Sequence, residues 1–78
     1  MGHEALMANV DDWVREALDN NERAISDALN ARHWFVEHQD QVDSPAEVSD
    51  QIGRVVKALY RAKRDNRELM GLLVTGRR

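Results

Sequence analysis

Ser44-Pro45-Ala46-Glu47 constrains this chain more than any other short stretch, because it stands between two long segments of helical apolar spacing and starts the second one abruptly. A serine at the cap can accept from the free amide of the glutamate three residues on, and the glutamate can reach back to the serine amide. Proline at the first helical position gives up only an amide that lacks an intrahelical partner anyway. A helix therefore begins at Pro45. It carries Val48, Ile52, Val55, Leu59, Ala62, Asn66, Leu69 and Leu73 at alternating spacings of four and three, the rhythm that keeps one seam turned toward a partner helix. Gly76 is placed to end it.

Upstream, Val10, Val14, Ala17, Leu18, Ile25, Ala28, Leu29, Phe35 and Val36 fall on one side of a helix. That phase survives Asp19-Asn20-Asn21, which predicts one continuous helix. The competing reading breaks it near Asn20, since Asp19 with Glu22 three positions later has the form of a second cap. The expected layout is a frayed leader over residues 1–8, then one helical hairpin domain over 9–78. Its helices run over about 9–39 and 45–75, with a turn at 40–44.

Two helices of similar length joined by a short loop lie antiparallel. Folding about the loop pairs residues whose numbers sum to about 87, bringing Phe35 to Ile52, Ala28 to Leu59, Leu18 to Leu69 and Val14 to Leu73. Asn21 and Asn66 then share a level. Each interrupts its apolar stripe, so either both sit at a solvated edge or they hydrogen-bond to each other and set the register. Ala17, Ala24 and Ala31 recur every seven residues, and their small side chains let helix axes approach closely as part of ordinary core packing.

The second helix is apolar over too wide an arc for one neighbour. Val56, Tyr60, Met70 and Val74 lie to one side of its seam, Trp34 projects away from the first helix's apolar face, and Trp13 sits at that face's margin. Contiguous exposed apolar surface marks an interface, which makes Trp13, Trp34, Val56, Tyr60 and Met70 the candidate partner-binding residues. The fold expected is all-α, an antiparallel hairpin of two long helices, with two copies forming a four-helix bundle as a homodimer. Binding to another protein is the alternative use of the same groups.

Charge divides just before Arg54. Twelve acids and three arginines precede it, net −9, whereas eight basic and two acidic residues follow, net +6. Arg54, Lys57, Arg61 and Arg64 share the face roughly opposite the seam, a row able to track nucleic-acid phosphates or an acidic protein surface. The simpler account is a solvated face whose charge is balanced by the acidic helix. No aromatic is interleaved in the row, and no turn precedes it as a recognition helix requires.

Several chemistries find no footing. Cysteine is absent, which removes disulfides, thiolate metal sites and thiol nucleophiles and suits a reducing cytoplasm, the expected location. No apolar run nears a membrane span, and the start has no secretory pattern. His33 and Glu37 are spaced to share a metal, but a third ligand is not evident and His38 is rotated away. Arg32 lies within the apolar face, its stem on the core and its head toward water; no companion set of inward charges completes an acid–base or anion-clamping centre. Ser26, Ser44 and Ser49 have no base at a recognisable spacing, and there is no glycine-rich phosphate loop. The expectation is a cofactor-free, non-enzymatic module that binds another protein as regulator, adaptor or inhibitor, with nucleic-acid binding through the basic row as the alternative.

Overall fold

The computed structural model describes the backbone of residues 2–75 and the side chains of residues 9–75. Two α-helices, α1 over Gly2–His38 and α2 over Pro45–Thr75, pack against each other, joined by a 3-10 turn at Gln39–Gln41 and a short loop. α1 is continuous through Asn20 and Asn21 and takes in residues 2–8, the stretch expected to fray. The apolar phase across Asp19–Asn21 outweighs the local capping signal, because burying that stripe along α2 stabilises more than one cap can.

The molecule is a rod of 59 × 15 × 14 Å. Its radius of gyration, 17.6 Å, far exceeds the roughly 11–12 Å of a compact domain of this length. Each helix therefore has a single neighbour. Of the large apolar side chains, Val14, Ile25, Phe35, Val56 and Leu73 are buried, while Trp13, Trp34, Val36, Val55, Tyr60, Leu72 and Val74 stay exposed. Val36, read as part of the apolar face of α1, is one of these; it follows Phe35 by one residue and is turned out of the seam.

α2 begins at Pro45 as the sequence predicts, but its cap is made differently. Ser44 lies at φ 54°, and its main-chain carbonyl accepts from the amides of Glu47 and Val48 at 3.1 and 3.2 Å. A serine caps through its hydroxyl from an extended backbone. At a left-handed φ that geometry is lost, and the reciprocal Ser44–Glu47 side-chain bonds are not among the hydrogen bonds of the described residues.

Register follows the expected pairing. Asn66 Nδ2 donates to Asn21 Oδ1 at 2.7 Å in a part-buried setting, so the asparagines pair across the seam rather than sitting apart at a wet edge. One residue along, Lys63 reaches Glu22. The lysine side chain is only 20% exposed, its stem lying on the core and its ammonium at the rim.

Candidate interaction surfaces

A simple rule sorts the exposed side chains of an antiparallel hairpin. Residues one position before a seam residue project to one side, residues one position after to the other, and because the helices run oppositely the matching flanks of both helices share a face. The charges bear this out. Glu22 follows Asn21 and Arg67 follows Asn66; the Glu22 carboxyl is held below its ordinary range first by the hydrogen bond and charge of Lys63 and then by the charge of Arg67. Those groups stand on one side of the rod.

On the opposite side, Trp13 precedes buried Val14 and Trp34 precedes buried Phe35, and the rings are 60% and 53% exposed. They are three heptads apart, with Ala17, Ala24 and Ala31 between them on the same flank, four residues on from each step of that heptad. Ala17 and Ala24 are half-buried and Ala31 is exposed, so the alanines line the flank rather than the middle of the hairpin seam. Val55, Ala58, Leu69 and Leu72 of α2 precede seam residues and complete this face, Val55 being 46% and Leu72 70% exposed. Trp34 is braced: its ring stacks on His38 with centroids 4.4 Å apart and planes 15° apart. His38 Nδ1–H donates to the Trp34 carbonyl at 2.8 Å. A large ring already held in place loses little rotamer freedom when covered.

The second face carries Val36, Tyr60 and Val74, each one residue after a seam position, together with the Glu22–Lys63 pair. Residues grouped by the sequence as one partner-binding set are thus distributed over three environments. Trp13 and Trp34 lie on the first face and Tyr60 on the second. Val56 is 8% exposed and belongs to the hairpin core, which takes it off the list of free contacts, while Met70 is half-buried. Val55, expected inside, takes the outside place. The reason is that rows 52-55-59-62-66-69-73 and 52-56-59-63-66-70-73 both have heptad spacing, and α2 rolls onto the second, which also carries Lys63 to Glu22.

Arg54, Lys57, Arg61 and Arg64 are all exposed on the outer edge of α2. Arg54 pairs with Asp50 at 3.3 Å and Arg64 lies 3.9 Å from Asp65, surface pairs of small energetic consequence. A depression of about 910 Å³ runs beside this row, bounded by side chains of α2 alone, so it is an open trough along one helix rather than an enclosed pocket.

Near the turn, His33 Nε2 meets Glu37 at 3.2 Å on the surface, and Arg32 is exposed. Among the described residues no cluster of three or more His, Cys, Asp or Glu could hold a metal ion, and no helix is long and apolar enough to cross a membrane. The aromatic flank was half visible in the sequence, through the two tryptophans; Leu72 was missed and Val55 was read as a seam residue. The flank spacing 13-17-20-24-27-31-34, alternately four and three residues, was the signal that could have joined the tryptophans and the alanines. No protein-family model, curated protein or solved structure matches this chain.

Proposed function

We propose that this hairpin is a non-enzymatic interaction module, a regulator, adaptor or inhibitor whose exposed apolar surface is completed by other protein chains. A second copy joining it in a four-helix bundle is one such chain. The observation that carries the reading is the excess of exposed over buried large apolar side chains, with Trp13 and Trp34 in the exposed set. Surface of that kind in water marks an interface, and tryptophan and tyrosine are the side chains that most often anchor one.

Capture of partners from native lysate tests it. A specific protein retained after nuclease treatment and raised salt, and lost on Trp34→Glu or Tyr60→Glu while helicity is unchanged, supports the reading. Capture indifferent to both substitutions contradicts it.

One observation favours a second reading. The row from Arg54 to Arg64 points away from α1, where the acidic helix cannot fully neutralise it, and Lys57 and Arg61 make no ion pair among the described residues. Such a row suits phosphates. Binding through it weakens steeply between low and physiological salt, and Arg61→Glu abolishes it without unfolding the chain.

A further inference from the structure

Resting on the reading of the exposed apolar surface as an interface, we propose that the face bearing Trp13 and Trp34 seats a second copy of this chain, α1 of each lying over α2 of the other with both turns at the same end. Three observations point there.

The stripes on this face are level with each other. In the register set by the Asn21–Asn66 bond, Trp13 to Trp34 on α1 covers the levels of Gly53 to Val74 on α2, and the stretch from Val55 to Leu72 falls within it. Rotating a second hairpin by half a turn about the long axis therefore lays one stripe on the other. Ala17 then meets Leu69 of the second copy, Ala24 meets Ala62 and Ala31 meets Val55. At Leu69 and Val55 a large side chain of α2 enters a gap left by an alanine of α1, and at Ala24 and Ala62 two small residues let the backbones approach, the fit that close helix packing needs.

Charge selects this arrangement over its end-to-end alternative. α1 has eight acidic residues against three arginines, whereas α2 has six basic against four acidic. Placing α1 on α2 sets opposite signs together, whereas turning the copy end for end would set α1 on α1 and α2 on α2, like on like. Of the polar residues on the face, Asn20 comes level with Asp65 of the second copy and its amide can donate to that carboxylate, while exposed Asp27 on the same flank comes level with the stretch of α2 that carries Lys57 and Arg61. The third observation is size. From Trp13 to Trp34 the stripe runs about 32 Å at 1.5 Å per residue, roughly six helical turns of continuous contact. The opposite face, crossed by the Glu22–Lys63 pair with Arg67 beside it, stays free for an unlike partner.

Scattering mass across dilution and a single spin label read this out. The chain has no cysteine, so Asp43→Cys labels the exposed turn alone. Expected are a mass twice 9.0 kDa and a label-to-label distance of about two helix diameters, ~20–25 Å. Ala31→Glu, at an exposed position, weakens association about a hundredfold or more by forcing a charge into the seam, while Tyr60→Glu leaves it unchanged. Should Ala31→Glu lose helicity, Ala58→Glu, also exposed, gives the same reading. A monomer at every concentration, dissociation by Tyr60→Glu rather than by the alanine variants, or a distance near the 59 Å length of the rod overturns the assignment. Each of these leaves the capture of an unlike partner to be judged on its own result.

Discussion

The two faces of this hairpin are built over the same seam and from the same helices, yet they differ in kind. One has Trp13 and Trp34 at its ends with three alanines, Asn20 and Asp27 between; the other is crossed by Glu22 and Lys63, with Val36, Tyr60 and Val74 set singly around them. A flank of small side chains invites another helix axis, because backbones can approach where side chains are short. A flank carrying a cross-helix ion pair fends one off, since closing over it would strip water from two charges that are already adequately served at the rim. Amphipathic helices of this kind thus do more than divide apolar from polar. The residue just before a seam position and the residue just after it face different neighbours.

The largest expected effect removes the contrast altogether. Phe35 is buried between Trp34 on one face and Val36 on the other, so Phe35→Ala should cost about 3–5 kcal/mol in urea unfolding and loosen both faces at the turn end. Loss confined to one face would mean that the faces are not supported by a common seam.

Register comes next, because both faces are defined by it. Asn21 lies between Asn20 on the first face and Glu22 on the second. Asn21→Leu leaves the Asn66 amide without its partner and is expected to cost about 1–3 kcal/mol, as is Asn66→Leu, while the double variant recovers much of the loss. Additive single effects in a double-mutant cycle would show that the 2.7 Å bond contributes nothing specific.

The turn starts α2, and both of its flanks begin there. Ser44 at φ 54° occupies a conformation that glycine adopts freely and a β-branched residue strongly resists. Ser44→Val should destabilise by about 1–3 kcal/mol, with Ser44→Gly near neutral. Thermal unfolding of the pair checks this; equal midpoints would deny the strain.

The smallest effect touches one face alone. Glu22 is held below its ordinary carboxyl range by Lys63 and Arg67, so its contribution is fully present above the unfolded-state value and is lost as pH falls through the lower folded value. Glu22→Gln should flatten that part of the acid limb of a stability–pH curve and leave association through the tryptophan face unchanged. An unaltered acid limb would show that the exposed pair contributes no measurable stability, and altered association would show that the faces are not independent.

Much of this architecture was legible in the residues. Helix α2 beginning at Pro45, the continuity of α1 and the level shared by Asn21 and Asn66 all follow from local spacing, which is a property of the helix itself. The cap was right in place and different in chemistry, because a hydroxyl can cap only if the backbone around it is extended, and the path of the loop decides that. For the interaction surfaces, the tryptophans and Tyr60 stood out as rings without a home, but Val56 and Val55 exchanged roles.

By itself the sequence determined two helices, their turn and their register, since these depend on periodicity, a proline and a pair of amides in fixed places. Only the tertiary structure decided the roll of α2. Its two heptad rows share Ile52, Leu59, Asn66 and Leu73 and differ in which neighbour completes the seam, and periodicity is blind to that choice. Packing against α1 resolves it by burying Val56 and bringing Lys63 to Glu22, and so turns Val55, Ala58 and Leu72 outward to the side where Trp13 and Trp34 stand.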